Sequence, residues 1–284
     1  AWIYTQWGSL PEVEPFLAGI KPAVLAVIFG ALWRLGKKAI KNSTLLVIGI
    51  AVVGLLLLGL DNIVALLLGG VLGAIALQIK RKISPPPAAF FLLGMAATGT
   101  PTVGAPSLWQ LGLFFLKVGA VLFGSGYVLI AFLEGELVNE LGWLTQQQLL
   151  DAIAIGQFTP GPVLSTSTFI GYLIRGVPGA AVATLGIFLP SFLFVLLLNP
   201  LIPKMRQSPW TAAFLDAVNV SAVALMAVVT ANLARTTLFP PTGVNWVGIA
   251  IALAAGVAVI RWKVNAAWLV LGGAIVGWLV YLLG

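Results

Sequence analysis

From Leu108 to Leu133 the chain carries one charged residue, Lys117, in an otherwise apolar run. Crossing the hydrocarbon core of a bilayer takes a helix of about 20 such residues. Comparable runs recur at 20–36, 44–60, 62–79, 178–199, 212–233, 245–260 and 264–283, whereas those at 149–158 and 162–174 are too short to cross alone. Only 8% of the 284 residues are charged, against roughly 25% in an ordinary globular domain. So few charges cannot cover a water-facing surface. The chain is predicted to be an all-α polytopic membrane protein.

Two residue types are missing. Cysteine is absent, which removes disulfides and thiolate metal sites, and histidine is absent, which removes the commonest metal ligand and proton shuttle. No catalytic pair can be built from either, and no H-E-x-x-H motif is present. No enzyme activity, cofactor or metal is therefore expected, and any proton coupling must use carboxylates, lysine or water. The net charge of +7 fits the excess of Lys and Arg on cytoplasmic loops, with attraction of a small anion as the other reading. No nucleic-acid partner is expected; the bilayer is.

The chain repeats itself. "PFLAGIKPAVLAVIFGALWRLGKKAI" at 15–40 aligns with "AFLDAVNVSAVALMAVVTANLARTTL" at 213–238, setting Lys21 against Asn219. "NIVALLLGGVLGAIA" at 62–76 aligns with "NAAWLVLGGAIVGWL" at 265–279 through a shared Asn and Gly-Gly. Charge distinguishes the copies. The turn of the first, "LGLDN", carries Asp61 and no cation, while Lys37, Lys38, Lys41, Lys80, Arg81 and Lys82 mark its outer ends. The turn of the second, "RWKVN", carries Arg261 and Lys263. Since basic residues face the cytoplasm, the two turns face opposite sides. An inverted-topology repeat follows, an architecture common among secondary transporters. The predicted division is 1–82 as the end of a first repeat, 83–107 as a Pro/Gly-rich linker and 108–284 as a complete second repeat. About ninety residues, the counterpart of 108–198, are expected upstream. Otherwise a short form completes its site as a homodimer.

The chemistry concentrates in 108–199. Lys117 costs about 2.5–3.5 kcal/mol in a membrane helix and is a functional candidate by default, with snorkelling to an interface as the alternative. "FGSG" at 123–126 places Gly124 and Gly126 around Ser125, reading either as a helix break or as a close helix contact. Glu134, Glu136, Glu140 and Asp151 follow, half of the eight acids in the chain; most of them read as solvated.

Beyond them lies "GQFTPGPVLSTSTFIG". Pro160 and Pro162 forbid a continuous helix through Thr159 and Gly161, and Pro162 suits the first turn of a new one. A helix starting inside the bilayer exposes unpaired N–H groups at the positive end of its dipole. Such a break survives only inside protein or against an aqueous cavity. With Ser165, Thr166, Ser167 and Thr168 beside it, the break is either an anion cradle or a kink capped by its own hydroxyls. The next short turn, "IRGVPGA", suggests a re-entrant hairpin in place of two spans.

The blocks "KVGAVLFGSGYVLIAFLEGELV", "LGWLTQQQLLDAIAIGQFTPGPVLSTSTFIGYLI" and "PGAAVATLGIFLPSFLF" closely resemble the second half of the chromate ion transporter family, and 10–40 resembles the end of its first half. The resemblance implies an inner-membrane (plasma-membrane) carrier that exports chromate with proton coupling, sulfate being the related oxyanion. An uncoupled oxyanion channel is the other transport class. On this reading the anion sits against Gly124, Ser125 and Gly126 of one break and Gln157, Thr159, Pro160, Gly161, Pro162, Ser165 and Thr166 of the other. Lys117 offsets its charge and Glu136 is the proton-coupling candidate. Lys21 and Asn219 form a second tier. Long family members carry related Gly and Pro-Gly-Pro motifs in each half, and here only the second half has them.

Overall fold

The computed structural model describes residues 1–7, 13–81, 106–122, 126–159, 162–198, 208–241 and 243–283. The expected linker at 83–107 lies almost wholly outside them, as do Gly124, Ser125, Pro160 and Gly161. Among the described residues there are helices and no strands. In chain order these are α1 (Trp2–Trp7), α2 (Glu14–Ala39), α3 (Ser43–Leu57), α4 (Asn62–Arg81), α5 (Leu108–Val121), α6 (Val128–Phe132), α7 (Gln146–Gly156), α8 (Pro162–Leu198), α9 (Pro209–Leu238), α10 (Trp246–Arg261) and α11 (Ala266–Leu283). α6 runs directly into a π-helical segment, Leu133–Glu140. The apolar run expected at 108–133 is therefore two helices, with the chain leaving helical geometry at Leu122.

The helices start where the sequence supplies a cap. Asn42 Oδ1 accepts from the Leu45 N–H, Asp61 Oδ1 from Ile63 and Val64, and Asn245 Oδ1 from Gly248. Ser107 with Gln110, and Thr145 with Gln148, form complete capping boxes. Each satisfies backbone donors that lipid cannot. Asp61, read above through its charge, is thus also the residue that begins α4.

Five segments are long and apolar enough to cross a membrane: Glu14–Ala39, Asn62–Ile79, Val163–Leu197, Pro209–Leu238 and Ala266–Leu283. The third is not one rod. Gly176 has φ 63° and Arg175 is also non-helical, so α8 divides into arms 162–174 and 177–198. Thr168 Oγ1 and Thr184 Oγ1 lie 2.6 Å apart, whereas a continuous helix would separate residues sixteen apart by about 24 Å. A Cβ added at Gly179 would overlap the Gly171 carbonyl, so the arms meet backbone to backbone. The first arm is about 20 Å long, too short for a hydrocarbon core of about 30 Å. Broken helices, as expected, build this part of the chain.

Around this hairpin the long helices interlock. α2 packs on α10 and α11, α9 packs on α3 and α4, and α2 and α9 pack on each other. Gly36 of α2 faces Val223, and Lys41 just beyond α2 pairs with Asp216 at 2.6 Å, so α2 and α9 run antiparallel. Gly70 of α4 lies against Val218 and Phe214, and Gly273 of α11 lies against Gly19 and Ala23. Gly69 and Gly70 of the first Gly-Gly pair and Gly273 of the second thus sit at close helix contacts.

The hairpin can be tested cleanly because the chain has no cysteine. A Thr168→Cys, Thr184→Cys double variant should form an intramolecular disulfide under mild oxidation, since the side chains are within bridging range. Failure to cross-link while the protein remains folded would contradict the folded-back arms.

Candidate functional site

The two sequence breaks come together. A Cβ built on Gly126 would stand 2.5 Å from Val163 Cγ2, so the segment leaving the first break packs on the first turn of α8. Gly126, Tyr127, Leu129 and Ile130 form one wall of a cleft whose other wall is Ile153, Gln157 and Thr166. Its volume is about 10 Å³, room for a single water. The walls are thus nearly in contact and the cleft is narrow.

The cleft is polar at a few points and apolar elsewhere. The Tyr127 hydroxyl donates to Gln157 Oε1 at 3.2 Å, while Gln157 and Thr166 are both buried. Below them, Thr159 Oγ1 donates to the Gly156 carbonyl at 2.9 Å and lies 2.6 Å from Ser165 Oγ. That pair bridges the chain across the break, joining the end of α7 to the first turn of α8. Ser167 is fully buried and its hydroxyl has no hydrogen-bond partner.

Of the sequence-derived residues, Gly126, Gln157 and Thr166 line the cleft, while Thr159 and Ser165, close to Gln157 and Thr166 in the chain, bond to each other. Pro162 opens α8 as expected. Lys117 does not reach the cleft lining: its Nζ is 2.8 Å from Glu136 Oε2. The two residues assigned to anion compensation and to proton coupling are therefore partners. Lys21 and Asn219 are half-buried on α2 and α9 and do not line the cleft.

The sequence reading missed three things. Glu134, Glu136 and Asp151 are buried, with only Glu140 of the four acids exposed, so the expectation that most are solvated fails. Glu134 and Glu136, two apart, point to nearly opposite faces of their helical turn, and both are buried because the fold encloses this segment on more than one side, Leu133 and Leu137 being buried with them. Tyr127 was also missed, although it directly follows the quoted "FGSG". Finally, Arg34 of α2 lies near enough for its charge to act on Tyr127, placing a cation near the cleft. Among the described residues no cluster of His, Cys, Asp or Glu could hold a metal.

The chain matches the chromate transporter family over residues 1–74 and 109–278. It belongs to that family. It is 32% identical over 292 residues to the chromate transport protein of Cupriavidus metallidurans, covering 99% of this chain and 70% of that one. It is 33% identical over 249 residues to a probable chromate transport protein of Synechococcus elongatus, covering 84% and 62%. A chromate transport protein of Pseudomonas aeruginosa is 31% identical over 298 residues, covering 99% and 70%. No solved structure matches the chain. This chromate transporter family member is a multi-pass membrane protein. Its family and its apolar helices place it in the inner membrane.

The ion pair makes a stability prediction. Lys117→Met leaves the buried Glu136 carboxylate without its cation and should cost about 3 kcal/mol. Lys117→Met with Glu136→Gln removes both charges and should recover most of that loss. Thermal unfolding in detergent measures both, and equal instability of the single and double variants would contradict the pairing.

Proposed function

We propose that this protein is a secondary active transporter that exports chromate across the inner membrane, coupled to protons, by alternating access. The observation that carries the reading is the meeting of two helix breaks at one narrow cleft lined by Tyr127, Gln157 and Thr166. The start of α8 supplies backbone donors and a positive dipole end. The hydroxyls of Thr159, Ser165 and Thr166 lie close to it in the chain, and Ser125 belongs by sequence to the other break. Together with the backbone around Gly124–Gly126 and Pro160–Pro162, these groups replace the hydration of a tetrahedral dianion. Arg34, whose field reaches Tyr127, draws the anion toward the cleft.

Lys117 and Glu136 supply the coupling, in which a proton travels with the anion. With the cleft empty, the lysine's charge is satisfied by Glu136. Once the cleft opens toward Lys117, an arriving dianion competes for that lysine, and Glu136, losing its counter-charge in a buried place, takes a proton. Anion binding and proton binding are thereby linked through one ammonium group. The two sequence copies support the rest: their long helices α2 and α9 are antiparallel and each packs on the other copy's hairpin. This is the arrangement an inverted repeat would take, with each bundle able to rock against the other.

Sulfate shares the shape and charge of chromate, so transport must be measured with both. In everted vesicles, chromate uptake driven by an imposed proton gradient should be lost, by at least about tenfold, in the Lys117→Met, Glu136→Gln variant, which removes the linkage while sparing the fold. Gln157→Ala should weaken apparent affinity by about tenfold, the worth of one hydrogen bond to a charged group. Undiminished gradient-driven uptake by the double variant would sink this coupling. Movement of chromate only downhill, whatever the proton gradient, would make the protein a channel.

A further inference from the structure

Asp151 is fully buried on α7, and the coupling just described does not use it. Its Oδ2 accepts a 2.6 Å hydrogen bond from the Tyr4 hydroxyl, across a sequence separation of 147 residues. Its Oδ1 is buried with no hydrogen-bond partner. The Tyr4 ring stands edge-on to Phe169, centroids 5.4 Å apart, which seats α1 against the first arm of α8. Lys21 of α2 is the cation whose charge acts on Asp151. The π-helical segment, also packed on α7, carries Glu134, Glu136 and Glu140, and the first arm of α8 brings hydroxyls and no charge.

A structural role explains this arrangement poorly. An ionised carboxylate with one donor and one bare oxygen loses several kcal/mol of hydration that a single bond does not return. An asparagine would hold Tyr4 with less cost. Burial, and next the bond to Asp151, push the Tyr4 hydroxyl above its ordinary range, so Tyr4 keeps its proton and remains the donor.

We propose that Asp151 is a second proton-binding carboxylate of the transport cycle, with Tyr4 as its fixed hydrogen-bond donor and Lys21 as the charge that favours release. The proposal rests on the transport reading above and adds one proton to whatever Glu136 contributes. In the loaded state the proton sits on Oδ1 while Oδ2 accepts from Tyr4. On release the proton leaves to water, and the carboxylate is held by Tyr4 and offset by Lys21. Release therefore belongs to a conformation in which water reaches Oδ1. The geometry links that event to the cleft, because α7 carries Asp151 in its middle and ends at Gln157 on the cleft wall. Each cycle takes one proton from one side of the membrane at Asp151 and returns it to the other, so no co-reactant is needed.

The test uses the full chain in proteoliposomes with two readouts, labelled chromate counterflow at equal pH and the steady-state chromate gradient under an imposed pH difference at clamped voltage. Each coupled proton multiplies that gradient about tenfold per pH unit. Asp151→Asn should preserve counterflow within about twofold and lower the gradient about tenfold per pH unit. Tyr4→Phe removes a donor that favours the charged form, so Asp151 should hold its proton to higher pH. The half-maximum of gradient-driven uptake should move up by about one pH unit, with its maximal rate kept. An unchanged gradient in Asp151→Asn would overturn the proposal. So would loss of counterflow in that variant, which would make Asp151 a folding or binding residue, or an unshifted profile in Tyr4→Phe. Absence of counterflow in the unmodified chain would instead overturn the transport reading, and this proposal with it.

Discussion

Backbone polar groups in an apolar surrounding must find partners inside the protein, and most of this structure follows from how that demand is met. Where the chain stays helical it is met within the helix. Where the chain breaks, short polar side chains take over: Asn42, Asp61, Ser107, Thr145 and Asn245 each cap a helix start. The break between α7 and α8 is handled differently, by Thr159 and Ser165 bonded to each other across it. Spending side-chain hydroxyls there while packing Gly126 on Val163 produces a place where donors converge but lipid does not enter. A carrier for a hydrated anion needs such a place.

Charge is governed by the same demand at higher cost. Glu136 is buried because Lys117 is beside it, and Lys117 tolerates its apolar helix because Glu136 answers it. The Lys41–Asp216 pair, by contrast, is largely exposed and contributes little on its own. Its use is positional, marking where the end of α2 meets the start of α9. Glycine supplies the remaining closeness. Gly19, Gly273 and Gly277 bring α2 and α11 into backbone contact, and Gly171 and Gly179 do the same for the arms of α8. Without a hydrophobic drive between helices in lipid, such small-residue contacts are what hold a bundle together.

The features legible in the sequence were local ones. Nearly every apolar run is a helix within a few residues, and "TPGP" and "RGVPG" mark real interruptions because proline and glycine act on their own backbone. The Gly-Gly pairs were visible because a repeat displays them twice. What could not be read was pairing. Lys117 and Glu136 lie 19 residues apart on different helices, and Tyr4 and Asp151 lie 147 apart. No periodicity connects either pair. The burial of Glu134 together with Glu136 was hidden for another reason: a stretch this rich in polar residues reads as solvated, and only the surrounding fold shows that it is enclosed on more than one side.

Two of the buried acids, Glu136 and Asp151, are held by different neighbours. Glu136 faces α5 through Lys117, and Asp151 faces α1 and α2 through Tyr4 and Lys21. On the transport reading proposed above, protonating either acid removes the cost of separating it from its partner. Each proton then favours a conformation in which that partner has moved away, and a proton gradient thereby biases which conformation the narrow cleft adopts.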